Sequence, residues 1–322
     1  MSSHQVSGAA ERGTPPGTAL EAGGALLPGV PPAPDAPSAA PARLGGPADV
    51  WRRLRHQRGA VVGGGVVVAL AAVAVLAPLI SPHSPTIGNI ADALTPPGRR
   101  FLLGTDYAGR DMLSRVIYGA RISLTVGLVV QATALVVGTA LGLLAGYYGG
   151  WIDDAVSAVT VTLQAFPGIL LAIAVVAMLG PGIYNVFLAL GLVAWPSIAR
   201  LVRGQTLALK EQQFVESARA IGASGPRILR RHILPNCLGP LIVIVTLGVA
   251  GAILSEAALG FLGLGVQPPV PSWGSMLAAG RARMATAPWL TIFPGLAIFV
   301  TVLSLNMLGD GLRDVLDPRL HR

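Results

Sequence analysis

The hydrophobic positions of this chain gather into long uninterrupted runs. Residues 60–80 contain no charge, and a helix rises about 1.5 Å per residue, so this run alone spans a bilayer core of about 30 Å. Five further runs follow at 122–147, 155–179, 183–198, 238–264 and 289–308. The run at 183–198 is short and is expected to borrow residues from its flanks. The pattern predicts an all-α membrane protein with six transmembrane helices. Gly138 and Gly142 form a small-xxx-small pair, a weak signal of close helix contact.

Polar sequence is confined to the ends and the connections. Residues 1–50 hold 28 Pro, Gly and Ala, without apolar periodicity. Such a segment cannot bury enough surface to offset its ordering entropy, so a disordered cytoplasmic tail is expected. A basic start followed by an early apolar core is absent from it, and no signal-peptide cleavage is expected. Residues 51–120 then divide into the first transmembrane helix and an extracytoplasmic segment, and residues 121–322 form the remaining core with a cytoplasmic loop at 200–236.

Composition strengthens the membrane reading. Charged residues are only 12% of the chain and hydrophobic residues 52%, with mean hydropathy +0.65. An ordinary soluble domain carries about 25% charged residues. The net charge of +8 comes in short stretches between apolar runs, where loops meet anionic headgroups, so a lipid surface is expected as partner and nucleic acid is not. Arg52, Arg53, Arg55 and Arg58 precede the first run and set its start in the cytoplasm, with Trp51 at headgroup depth. Six spans then return the chain to that side, so both termini are expected there. The loop at 200–231 carries seven Lys and Arg against Glu211 and Glu216, as an inner loop should. The inner loop before the third run holds only Asp153 and Asp154, and the segment outside carries Arg99, Arg100, Arg110, Arg115 and Arg121, which weakens the charge asymmetry.

The familiar catalytic motifs are missing. The only lysine, Lys210, follows Leu209, so no Gly-Lys-Ser/Thr phosphate loop exists. The five histidines are scattered, with no second histidine or carboxylate at i+4. Around Ser272 the first glycine of a nucleophile elbow is replaced by Val270. Cys237 is the single cysteine and suits a packing role. The expectation is a non-enzyme without cofactor or metal of its own. Glu256 lies well inside the fifth run, where a carboxylate is costly. It can be a functional group, or it can face a wet cavity or a partner helix toward the outer end of the span in a structural role.

The connection at 200–236 is the informative part. Phe214, Ala218 and Ile221 recur at helical spacing and predict one small apolar face, Gly222 can end that helix in the left-handed conformation, and Pro235 is expected to stop the basic stretch beyond it. A short amphipathic helix between two spans suits a docking element, with an interfacial helix lying on lipid as the alternative.

At these residues the chain resembles a known family. Glu216-Ser217-Ala218, three residues, Gly222, then Leu234-Pro235 is similar to the EAA motif of permease subunits of bacterial ABC importers, with Ser217 where the consensus has Ala. His232-Ile233-Leu234-Pro235-Asn236 resembles the dipeptide, oligopeptide and nickel branch. So do Leu103-Gly104-Thr105-Asp106, with Gly109-Arg110-Asp111, and Phe261-Leu262-Gly263-Leu264-Gly265, with Pro271-Ser272-Trp273-Gly274. Together they look like the C-type permease from about Trp51 onward. The resemblance implies a type I importer fold in the bacterial cytoplasmic membrane and a pathway for di- or oligopeptides shared with a homologous second permease. It also implies two cytoplasmic ATPase subunits that bind ATP and Mg, and an extracytoplasmic binding protein. The ATPase-coupling residues it implies are Glu216, Ser217, Ala218, Arg219, Ala220, Ile221 and Gly222. Nickel, glutathione or another small solute is the alternative cargo within the family. A stand-alone channel, a secondary transporter or a membrane scaffold are the alternatives outside it.

Overall fold

The computed structural model describes residues 47–316; residues 1–46, most of the tail expected to be disordered, and the last six residues lie outside the described residues, while 47–50 belong to a helix. Among those described, regular structure is helical apart from one isolated bridge between Thr105 and Asp111. A short basic helix α1 (Pro47–Leu54) leads into α2 (Arg58–Ile80), the first apolar run. An ordered segment then carries the chain to α3 (Met112–Tyr148). The remaining long helices are α6 (Ile183–Lys210), α9 (Leu234–Phe261) and α11 (Trp289–Leu316).

Five helices are long and apolar enough to cross a membrane. The expected third span is broken: α4 (Gly150–Gln164) and α5 (Gly168–Leu179) meet at 90°, and only as one bent span do they make the sixth crossing. Pro167 is the cause. It disfavours helical geometry at Phe166 and offers no N–H of its own.

Hydropathy also misplaced three helix ends, each for a local reason. Helix α3 starts ten residues before the apolar run, because the Asp111 carboxylate accepts from the Ser114 backbone N–H at 2.9 Å and caps it. Helix α6 runs on to Lys210, through Arg200 and Arg203. Arg203 is paired with Asp153 of α4 through two hydrogen bonds, one of them 2.7 Å, so the helix keeps its course through the charges. Pro235 does not stop the preceding stretch. A one-turn helix α8 (Gly225–Ile228), a π turn (Leu229–Ile233) and α9 form one continuous span. The π turn shifts the ladder so that the Leu234 N–H reaches the Leu229 carbonyl, and Pro235 falls in the opening turn of α9, where a proline costs little.

Helix α3 contributes to all three buried apolar clusters and is the axis of the fold. Its partner α6 approaches along Gly138, Gly142 and Gly146. A Cβ at these positions would stand 2.7 Å from the Trp195 carbonyl oxygen, 2.6 Å from that of Ala199 and 2.7 Å from Thr206 Cβ. The small-xxx-small signal therefore marks a contact that only glycine fits.

The α2–α3 segment is fastened by charge. The Asp106 carboxylate accepts from the backbone N–H groups of Ala108 and Arg110, closing a turn. The buried Arg115 guanidinium lies 3.5 Å from the same carboxylate and donates to the Pro85 carbonyl at 2.8 Å and to that of Pro269 at 3.4 Å. The Thr-Asp…Gly-Arg-Asp run is thus a structural knot joining two connections at one end of the bundle.

Candidate functional site

At the opposite end of the bundle the chain leaves α6 and forms α7 (Gln213–Ala220), eight residues between two spans. Its C-terminus is closed by two backbone bonds: the Gly222 N–H reaches the Arg219 carbonyl and the Ala223 N–H reaches that of Ala218, both at 3.0 Å. This pattern needs a left-handed residue at its corner, and Gly222 has φ +80°. The sequence expectation for this glycine holds.

The apolar face differs from the one expected. Val215 and Ala218 are buried against Ile228, Leu229 and Ile233, with Phe214 at the edge. Ile221 is 87% exposed. The helix stops at Ala220, so Ile221 no longer follows helical spacing. Helix α7 consequently has two faces. Val215 and Ala218 hold it to its own chain, Arg219 is exposed but reaches back toward the end of α3, and Glu216, Ser217, Ala220 and Ile221 point away. The elbow rests on the end of α3: the Arg219 guanidinium lies 6.0 Å from the Tyr147 ring centre, and a Cβ at Gly225 would stand 3.1 Å from that ring.

Glu256 lies far from α7, at the other end of α9, and is fully buried. The Ser123 hydroxyl of α3 donates to its Oε2 at 3.0 Å, the Ser272 hydroxyl lies beside it, and Oε1 has no hydrogen-bond partner. Ser272 caps α10 (Trp273–Arg281), and the Trp273 indole N–H donates to the Val116 carbonyl at 3.0 Å. Gly119 makes room for that indole: a Cβ there would come within 2.7 Å of it. The carboxylate thus sits where α3, α9 and α10 meet, enclosed by its own chain rather than facing a wet cavity. Sequence reasoning missed the Asp153–Arg203 pair, although opposite charges stood in the two connections that meet there.

Two family profiles match. Binding-protein-dependent transport system inner membrane component covers residues 138–322, and the N-terminal transmembrane domain of oligopeptide transport permease C covers residues 48–97. The chain belongs to this family of importer permeases. A dipeptide transport system permease protein of Alkalihalophilus pseudofirmus is 46% identical, over 84% of this chain and 90% of the relative. Glutathione transport system permease proteins of Pectobacterium atrosepticum and Escherichia coli are 47% and 50% identical, each over 84% of this chain, and over 91% and 90% of the relatives. A chain of the MetNI methionine ABC transporter, in an inward-facing conformation, shares the fold. Its TM-score is 0.52 at 22% identity, covering 63% of this chain and 97% of that one. As an importer permease, the protein is a multi-pass component of the bacterial inner membrane and a transporter subunit.

Proposed function

We propose that the chain forms one half of an ATP-driven import pathway for short peptides, glutathione included, and that α7 couples it to a cytoplasmic ATPase. The end of the bundle carrying α7 then faces the cytoplasm, as do both termini. The other half is a homologous permease, two ATPase subunits bind ATP and Mg, and a binding protein delivers cargo from outside. The cargo follows from relatives named for dipeptides and for glutathione, both of them peptides. Glu256 serves as a structural tie between α3, α9 and α10.

The observation that carries the coupling role is the division of α7 into an anchored face and an exposed one. Two sites on different subunits influence each other only through an element that both can bias. An element packed on α8 and the π turn that lead into α9, while offering Glu216, Ser217, Ala220 and Ile221 outward, meets that condition. Ile221→Asp tests it, because this side chain has almost no contacts in its own chain. The variant is expected to accumulate in the membrane and pair with the second permease as the parent does, but to lose ATPase co-purification and ATP-driven peptide uptake. Parental levels of both would overturn the coupling assignment.

A further inference from the structure

The break between α4 and α5 places irregular backbone inside the membrane. Its depth follows from its neighbours. The Gln164 amide donates to the Ser197 hydroxyl of α6 at 3.4 Å, and the adjacent Ile198 packs where a Cβ on Gly138 would fall. Gly138 lies ten residues before Tyr148, the end of the apolar run of α3, and that is about 15 Å of helix. The break therefore lies near the middle of a core about 30 Å thick.

Ala165, Phe166 and Pro167 are exposed there, and α5 opens with backbone N–H groups that have no acceptor in the helix. Non-helical backbone at this depth persists only where protein covers it or where it borders water. Helix α6 points to water. In its half away from α7, the exposed side chains are Tyr184, Leu188 and Leu192. In the half toward α7, the exposed face turns and carries Ser197, Arg200, Gly204 and Ala208, with no large apolar side chain. Ser197 is nine residues from Leu188, half a turn out of phase, and so faces away from it. Arg200 is exposed and has no ion-pair partner among the described residues. It stands beside the level of Gly142, whose notch receives Ala199, roughly 10 Å inside the end of α3. An unpaired guanidinium at that depth is unfavourable against lipid tails and favourable beside water that carries an anion.

We infer that the α4–α5 break, with Ser197 and Arg200, lines the aqueous passage on the α7 side of mid-membrane, and that Arg200 meets the terminal carboxylate of a passing peptide. This rests on the importer reading and adds the wall and the group recognised. Ser197 offers a hydroxyl suited to peptide bonds, Phe166 offers an apolar surface, and Arg200 offers a forked donor for a carboxylate.

The test uses the whole transporter in inside-out vesicles, with Cys237→Ser as background and single changes Ser197→Cys, Phe166→Cys and Leu188→Cys. ATP-driven peptide uptake by each variant transporter, purified and reconstituted in proteoliposomes, is measured first, so that a failure of the importer reading is seen separately. A water-soluble thiol reagent is expected to modify positions 197 and 166 at least about ten-fold faster than 188. A free-acid dipeptide at millimolar concentration is expected to slow modification at 197, while its C-terminally amidated counterpart leaves the rate unchanged. Adding Arg200→Gln is expected to abolish the protection, and Arg200→Lys to retain part of it. If position 197 reacts in the lone chain and is silent in the assembled transporter, the second permease covers this face and the inference falls. Equal protection by the amidated peptide removes the carboxylate role of Arg200.

Discussion

Gly222 shows how a single residue sets the geometry of the element proposed to couple the chain to its ATPase. At φ +80° a side chain is strained by about 1–2 kcal/mol even though nothing crowds the site, and a β-branched residue fares worse. Gly222→Val is expected to unravel the end of α7 while the spans fold normally. The readout is ATP hydrolysis by the assembled transporter, which should no longer rise with loaded binding protein. Glu256 invites the opposite expectation. Glu256→Gln keeps an acceptor for the Ser123 hydroxyl and adds a donor, so uptake should stay within about two-fold of the parent. Glu256→Leu strands buried hydroxyls, each costing about 1–3 kcal/mol, and should lower the unfolding temperature in detergent. Both residues could be picked out in the sequence, one by its position after a short helix and the other as a carboxylate in an apolar run. Their surroundings could not. Nothing in the spacing reveals that Ser123, more than a hundred residues away, supplies the hydrogen bond to Glu256, or that Ile221 falls past the last turn of α7.

Among the helices, α3 and α6 depend on absent side chains. Gly142→Leu would push a branched side chain into the Ala199 carbonyl and Val202, where a Cβ would already stand 2.6 and 2.8 Å away. It is expected to leave little folded protein in the membrane, measured as the fraction that remains monodisperse after detergent extraction. The Asp153–Arg203 pair binds the first half of the broken span to α6. Asp153→Ala and Arg203→Ala are each expected to speed protease cleavage near residues 149–150, and the double change should add little to either single one. That non-additivity marks a direct pair. Hydropathy reads the existence of such helices well, since charge-free runs are long. It reads their ends poorly, because a cap at Asp111, a paired Arg203 and a π turn before Pro235 are decided by hydrogen bonds rather than by transfer energy.

For the molecule as a whole, orientation turns on the bent α4–α5 pair. If the pair crosses once, the chain makes six crossings and its two ends share a side. Single cysteines replacing Ser84 and Ser224 in the Cys237→Ser background test this, as both positions are exposed. An impermeant thiol reagent added outside intact cells is expected to label position 84 and spare 224, and the reverse result would invert the proposed arrangement. The six apolar runs were legible from the sequence, but not the break inside the third, because Phe166-Pro167 interrupts the helix without interrupting the apolar run.

The division of labour within α7 bears on how such transporters diversify. Residues that secure the helix, Val215 and Ala218, are separate from those proposed to meet the ATPase, so the second group can change without reopening the membrane fold. Grafting Glu216, Ser217, Arg219, Ala220 and Ile221 from a permease with a different motor would then redirect this chain to the foreign motor and leave its cargo unchanged. A few exposed side chains on one short helix would make the engine an exchangeable part.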